Sequence, residues 1–206
     1  MRSLYEDYLL PRVTHLLCSS SSVMKQREKV IPGAFGNVLE IGVGSGLNLG
    51  FYDWDKVDHL HALDPSEKML SLVDKNQSKF PQDIELVNGY SDDIPLENNV
   101  IDSVVITYTL CSIDRIIPSL EEFRRVLKPG GVLLFCEHGR APDAIVRKWQ
   151  DRLNPLWKTF GGGCNLNKDI PQLIQSGPFK IEKLETMYIP GFKPACFNYW
   201  GVARPR

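Results

Sequence analysis

Apolar positions along this chain alternate between short continuous runs and helical spacing. Runs rich in β-branched residues predict buried strands at 37–41, 57–63, 84–87, 102–107 and 132–136. Between them, helical spacing predicts a helix that starts at Leu47 and further helices over 65–78 and 118–127. Strands that alternate with helices predict a parallel sheet covered on both faces, and ligands bind such a sheet at the carboxyl ends of its strands.

The pattern changes after residue 138. A long helix is predicted over 142–160 with a kink at Pro155, a short one over 169–175, and an antiparallel hairpin from 179–187 and 197–203. We therefore predict an α/β fold that is Rossmann-like and doubly wound, with a mostly parallel seven-stranded sheet, an antiparallel C-terminal strand and helices on both faces. The long helix carries one apolar stripe, which either lines a pocket or packs in the core: Ile145, Trp149, Leu153, Leu156, Trp157 and Phe160.

The length of 206 residues fits one domain. Its predicted parts are an N-terminal helical lid (1–32), a ligand-binding core (33–138), a helical insertion (139–178) and a closing hairpin (179–206). With 43% apolar and 24% charged residues, the composition is that of a globular chain.

Charge and cysteine content narrow the class of partner. A formal net charge of -1 offers no general attraction for nucleic acid. No run of about 18 apolar residues predicts a transmembrane helix, which leaves only peripheral membrane contact open. The five cysteines form no CxxC pair and no histidine stands at metal-ligand spacing, so we expect neither disulfides nor a metal site. We expect a reduced, cytoplasmic protein; the sequence does not indicate an oligomeric state.

The clearest chemical signal is VLEIGVGSG at 38–46, where the first strand ends. Glycines at 42, 44 and 46 let the backbone turn sharply and approach a ligand. The dinucleotide fingerprint GxGxxG would need a glycine where Leu47 stands, and the chain has GxGxG instead. Glu40 would repel a pyrophosphate and attract a cation.

The second strand ends in Asp64, followed by Pro65. In nucleotide-binding sheets a carboxylate at this place accepts hydrogen bonds from ribose hydroxyls. The alternative is a structural role, because Asp64 and Pro65 also suit the start of a helix.

The pattern Glu-x-Gly-x-Gly-x-Gly, together with the later strand ends, resembles the class I S-adenosylmethionine-dependent methyltransferases, including the ubiquinone and menaquinone enzymes. The likeness covers 38–136. It implies S-adenosylmethionine as cofactor and S-adenosylhomocysteine as product, with the acidic residue near the methionine end. In NGYSDDIP (88–95), Tyr90 stands where the family often has an acidic residue. The implied cofactor-binding residues are Glu40, Gly42, Gly44, Gly46, Asp64, Pro65, Gly89, Tyr90, Ser91, Thr107 and Leu110.

Further segments, at 110–112, 137–138, 154–157 and 163–166, are similar to the methyltransferase-like group that contains alkyl-thiol methyltransferases. The resemblance implies a small acceptor of one of four classes: a thiol, an amine, a lipid headgroup or a quinone-like carbon. For a thiol acceptor, His138 is the candidate base, unless it is simply packed at a strand end. The candidate acceptor-pocket residues, some of which could be ordinary core, are Cys111, Trp149, Trp157, Cys164 and Asn165.

Two alternatives to a methyltransferase stay open at this point. A nicotinamide-dependent oxidoreductase is disfavoured by Glu40 and by the spacing at Leu47. A protein that binds S-adenosylmethionine without catalysis is compatible with the same motifs.

Overall fold

The computed structural model describes residues 18–81 and 84–206; residues 1–17 of the predicted N-terminal helical lid therefore lie outside the described residues. Its strands are β1 (Gly36–Ile41), β2 (Val57–Asp64), β3 (Ile84–Asn88), β4 (Ile101–Thr107), β5 (Leu127–His138), β6 (Phe179–Tyr188) and β7 (Phe197–Pro205). The α-helices are α1 (Ser21–Arg27), α2 (Glu67–Gln77), α3 (Ile116–Val126), α4 (Ala144–Phe160) and α5 (Ile170–Ser176).

The seven strands form one sheet in the order β3-β2-β1-β4-β5-β7-β6. Strands β1 to β5 run parallel, and β7 pairs antiparallel with both β5 and β6. The predicted fold class is confirmed. Strand order reverses between β1 and β4, and a crevice at their carboxyl ends is the expected ligand site of such a sheet.

The sheet is covered on both faces because its strand residues alternate between two hydrophobic clusters. In β1, Leu39 and Ile41 belong to one cluster and Val38 to the other. Burial on both sides explains why the central strands read as nearly continuous apolar runs. Among the described residues, no helix is long and apolar enough to cross a membrane.

The predicted helix at Leu47 is wrong. The segment after the glycine run contains only a 3-10 helix, Leu49–Phe51, before β2 begins. Its side chains explain the difference, because Asn48 and Tyr52 both turn inward to bond the buried Glu40. Gly50 and the neighbouring aromatic residues also have low helix propensity.

Packing of the apolar stripe of the long helix in the core, one of the two predicted alternatives, is also wrong. In α4 the buried residues are Val146 and Gln150. Gln150 Nε2 donates to the carbonyls of Gly139 and Leu166, each at 2.9 Å. These bonds hold the polar Gln150 side chain in the protein interior. Most of the predicted apolar stripe is exposed instead: Ile145, Trp149, Leu156 and Phe160.

Candidate functional site

The glycine run bends tightly at the carboxyl end of β1. Gly42, Gly44 and Gly46 all have positive φ, at 68°, 57° and 80°. A Cβ on Gly42 would meet Thr109 at 2.5 Å, whereas one on Gly44 would meet nothing nearer than the Gly42 carbonyl at 4.0 Å. Gly44 therefore presents bare backbone to open space, which suits a closely approaching ligand.

Glu40 lies buried beneath this loop. Its carboxyl accepts hydrogen bonds from Asn48 Nδ2 at 2.9 Å and Tyr52 Oη at 2.7 Å. Burial raises the pKa of Glu40 to about 7, against the opposing effects of these bonds and of nearby Arg27. Glu40 thus anchors the segment that replaces the predicted helix, and its direct contact with a cationic ligand stays a prediction.

Arg27, at the end of α1, supplies a buried positive charge that sequence reasoning missed. Its Nη1 donates to Asn48 Oδ1 at 2.7 Å and to Thr107 Oγ1 at 2.6 Å, both neutral groups. Its Nε is buried and has no hydrogen-bond partner among the described residues. A buried guanidinium with an unpaired N–H suits an anionic ligand such as a carboxylate. A single arginine in a short helix carries no motif that marks this role.

Asp64, at the end of β2, holds the glycine loop in place. Its carboxylate accepts from the backbone N–H groups of Gly44 at 2.9 Å and Ser66 at 2.8 Å. Burial raises the pKa of Asp64 although both bonds oppose the shift. Its predicted bond to a ribose would use the remaining lone pairs, since each carboxylate oxygen has two. The neighbouring Pro65 is exposed.

The turn after β3 contains the predicted adenine segment. Tyr90 is 61% exposed and Gly89 is half-buried. Ser91 Oγ lies 2.8 Å from Ser119 Oγ, which fixes the turn to α3. An exposed aromatic ring at the carboxyl edge of the sheet is available to a flat base, and the adenine role stays a prediction.

The end of β4 is fixed by Glu137. One Glu137 oxygen accepts from the N–H groups of Thr109 at 2.7 Å and Leu110 at 2.9 Å. The Thr107 side chain turns away from Glu137, and its hydroxyl accepts a hydrogen bond from Arg27. Gly44, Asp64 and Arg27 together form the part of the site called the donor side, where a methyl donor would bind. Leu110, a predicted cofactor contact, is fully buried in the core, so the structure gives its side chain a packing role.

A cavity of about 370 Å³ opens beside this strand end, between α1, β5, the end of α4 and residues 189–196. Its walls are mostly apolar and include Trp157, Phe160 and Phe192. His138 and Cys164 add imidazole and thiol groups to the lining. A pocket of this size and character fits a small apolar molecule.

His138 and Cys164 contact each other and Cys111. The distance from His138 Nε2 to Cys164 Sγ is 3.1 Å, and the ligating atoms of all three residues lie within 4.8 Å of one another. The hydrogen bond from Cys111 lowers the pKa of the Cys164 thiol, whereas burial alone would raise it. Burial lowers the pKa of His138, but the adjacent Cys111 and Glu137 outweigh it and raise the value.

The other predicted pocket residues divide into two groups. Trp157 and Cys164 line the cavity, and Cys111 lies just behind them. Trp149 and Asn165 do not line it. Trp149 is 52% exposed on the outer side of α4, and Asn165 donates its N–H (3.0 Å) and Nδ2 (2.9 Å) to the Cys111 carbonyl. The role of Asn165 is therefore to fasten the loop after α4 to the loop after β4.

Tyr108, which sequence reasoning also missed, stands between the donor side and the cavity. Its φ of 52° is unusual for a residue other than glycine. The ring stacks on His138 with centroids 6.4 Å apart, and the Arg27 guanidinium lies 5.0 Å from its centroid. Tyr108 also lines the cavity, so the two halves of the site share this side chain.

Comparison with known proteins identifies the family. A family profile described as a methyltransferase domain matches residues 39–135. Human thiol S-methyltransferase TMT1B is 31% identical over 183 residues, covering 86% of this chain and 74% of the relative. Demethylmenaquinone methyltransferase of Clavibacter sepedonicus is 30% identical over 122 residues, covering 59% of this chain and 49% of that protein.

Solved structures agree on the fold. An S-adenosylmethionine-dependent methyltransferase of Leishmania major superposes with a TM-score of 0.71 over 97% of this chain and 80% of its own, at 12% identity. At that identity, the similarity shows the fold alone.

The residues of the donor side fit S-adenosylmethionine. Gly44 offers a cradle that a Cβ would fill, and Nε of buried Arg27, which has no partner among residues 18–81 and 84–206, suits the carboxylate of the methionine tail. Asp64 is placed for a ribose at the neighbouring strand end. When bound, S-adenosylmethionine supplies an electrophilic methyl group. From these residues and relatives, the chain belongs to the class I S-adenosylmethionine-dependent methyltransferases.

Proposed function

We propose that this methyltransferase acts on a small apolar thiol that binds in the cavity beside Tyr108. The observation that carries the proposal is the combination of apolar walls with His138 and Cys164 at the strand end nearest the donor side. The resemblance of the chain to a protein named as a thiol S-methyltransferase supports the same acceptor class.

The reaction needs a deprotonated sulfur and a straight approach to the methyl carbon. The acceptor sulfur loses its proton and forms the new carbon–sulfur bond, while the bond from that carbon to the donor sulfur breaks and S-adenosylhomocysteine leaves. No covalent intermediate with the enzyme is required. The main contribution of the protein is alignment, which can supply roughly 7 to 11 kcal/mol.

His138 and Cys164 are well placed to meet the acceptor sulfur. His138 was the base predicted from sequence, and its Nε2 lies 3.1 Å from the Cys164 thiol at the cavity wall. In the apolar cavity these groups provide a local route for the acceptor proton. The apolar residues around them, Trp157 and Phe160, would exclude water and hold an alkyl chain.

A panel of acceptors tests this proposal. The protein is incubated with S-adenosylmethionine and, in separate reactions, an alkyl thiol, a primary amine, a phenol and a hydroquinone. Formation of S-adenosylhomocysteine and of each methylated product is measured by mass spectrometry. We expect the alkyl thiol to exceed the others in kcat/KM by roughly tenfold or more, about 1.4 kcal/mol. Preferred methylation of the hydroquinone would contradict the proposal and favour a quinone-type acceptor.

A further inference from the structure

We propose that Cys111, His138 and Cys164 form a Zn²⁺ site whose fourth coordination position opens into the cavity. Two thiolates and one imidazole are ligands that Zn²⁺ prefers. We further infer that an acceptor thiol binds at the fourth position as a thiolate, and this part rests on the proposed function. This proposal differs from the sequence-based prediction that the chain binds no metal.

The geometry is close to that of a tetrahedral centre. Zinc–sulfur bonds of about 2.3 Å and zinc–nitrogen bonds of about 2.0 to 2.1 Å place neighbouring ligand atoms roughly 3.5 to 3.8 Å apart. The three ligating atoms here lie within 4.8 Å of one another, and His138 Nε2 and Cys164 Sγ are 3.1 Å apart. Rotamer adjustments of about 1 Å or less would bring all three to bonding distance.

The ligands come from three separate parts of the chain that the fold fastens together. Cys111 follows β4, His138 ends β5, and Cys164 follows α4. Both amide donors of Asn165 bind the Cys111 carbonyl and so tie two of the ligand loops to each other. Because the ligands lie far apart in sequence, their spacing does not reveal the cluster.

The burial of the three ligands indicates that the fourth coordination position of the metal faces the cavity. Cys111 is buried behind the wall, while His138 and Cys164 line the cavity. Three protein ligands and one open position are typical of catalytic zinc sites. Two thiolates also balance the charge of Zn²⁺, which limits the cost of burying it. With the metal bound, His138 and Cys164 serve as its ligands and no longer as the route for the acceptor proton. An entering thiol would give its proton to solvent water at the open side of the cavity, while a sulfur electron pair would form the bond to the metal.

Metal binding is tested directly on the full chain. Zinc content is measured by elemental mass spectrometry after purification and again after metal removal and incubation with Zn²⁺. We expect about one zinc per chain, and a Co²⁺-loaded sample should show thiolate-to-cobalt charge-transfer absorption together with the strong visible bands of a tetrahedral site. Cys164→Ser and His138→Gln should lower the zinc content by roughly tenfold. Cys196→Ser is the matched control, because Cys196 lines the same cavity but lies outside the cluster. The zinc content of this variant should equal that of wild type.

Folding and ligand identity are controlled separately. Titration with S-adenosylhomocysteine checks that each variant is folded, and His138→Cys should keep the metal because it supplies a third thiolate. Adding 1-butanethiol to the Co²⁺ protein should strengthen the charge-transfer band, whereas 1-butanol should not. Absence of zinc and cobalt binding by wild-type protein, or unchanged binding in Cys164→Ser, would overturn the inference. Thiol methylation by metal-free protein would overturn the inference that the acceptor binds to the metal, and it would leave the proposed function intact.

Discussion

Two buried side chains on the donor side, the guanidinium of Arg27 and the carboxyl group of Glu40, are linked by the side-chain amide of Asn48. Asn48 accepts from Arg27 Nη1 and donates to Glu40 Oε1, and it is itself almost completely buried. This arrangement fixes the guanidinium without using its Nε, which has no hydrogen-bond partner in the part of the chain that the structure describes. The buried positive charge on the donor side is thus supplied by an arginine side chain.

Arg27→Ala should raise the Kd for S-adenosylhomocysteine by roughly 10- to 100-fold, because it removes a charge-assisted hydrogen bond in a buried place. Lys25→Ala is the matched control, since Lys25 is an exposed cation on the same helix and should leave the Kd unchanged. Isothermal titration calorimetry measures both values. Equal affinity in Arg27→Ala and wild type would show that Arg27 does not meet the ligand.

Glu40→Gln tests the buried carboxyl through the pH dependence of stability. The pKa of Glu40 is raised from 4.5 to about 7, so its contribution is complete below pH 4.5 and is lost as pH rises through 7. Glutamine does not titrate. The unfolding free energy of wild type, relative to Glu40→Gln, should therefore fall by about 3 kcal/mol between about pH 4.5 and about pH 8.5. Urea denaturation measures this difference, and a relative stability that rises with pH would mean that Glu40 is held ionised.

How far the site is predictable from sequence depends on whether its residues are neighbours in the chain. Glu40 and the glycines form one short motif, and Asp64 ends the next strand, so local reasoning found them. Arg27 and Tyr108 belong to no motif, and only the packing of α1 against β4 brings them together. The cluster of Cys111, His138 and Cys164 depends in the same way on tertiary contacts.

Among the elements, the strands and the long helix were predicted well, whereas the helix from Leu47 and the buried face of α4 were not. Strands such as β4 are buried on both faces, so their apolar runs are unambiguous. The segment after Gly46 follows hydrogen bonds to Glu40 rather than a helical ladder, and α4 turns the polar Gln150 inward. Both misses have one cause: a buried hydrogen bond to a distant residue overrode the local apolar pattern.

Gly44→Ala tests the glycine loop. Position 44 has a φ of 57°, so alanine should cost about 1 kcal/mol of stability and place a methyl group in the open cradle. Gly130→Ala is the control, because Gly130 also has positive φ (85°) and free space but lies in β5, away from the site. Both variants should lose similar stability in urea denaturation. Only Gly44→Ala should weaken S-adenosylhomocysteine binding; equal affinity for the two variants would contradict the cradle.

Phe160→Ala and Trp149→Ala separate the inner and outer apolar residues of α4. Both side chains are more than half exposed, at 59% and 52%, but only Phe160 lines the cavity beside His138. Loss of its apolar contact should raise KM for an alkyl thiol several-fold, about 1 kcal/mol. Steady-state kinetics with Trp149→Ala should match wild type. A larger effect at Trp149 would place the acceptor outside this cavity.

On the scale of the whole molecule, the donor side and the cavity meet at the carboxyl ends of β4 and β5. The donor side comprises Gly44, Asp64 and Arg27, and the cavity includes His138 and Cys164. Tyr108 contacts both sides. Alternating strands and helices made the sheet predictable from sequence, whereas the cavity is built by loops and by α1, whose positions depend on the folded chain.

A crystal structure with S-adenosylhomocysteine bound tests this arrangement most directly. We expect the homocysteine carboxylate to lie within hydrogen-bond distance of Arg27 and the product sulfur to face the cavity at His138 and Cys164. A sulfur directed away from that cavity, or a carboxylate held elsewhere with Arg27 still bonded only to Asn48 and Thr107, would contradict it.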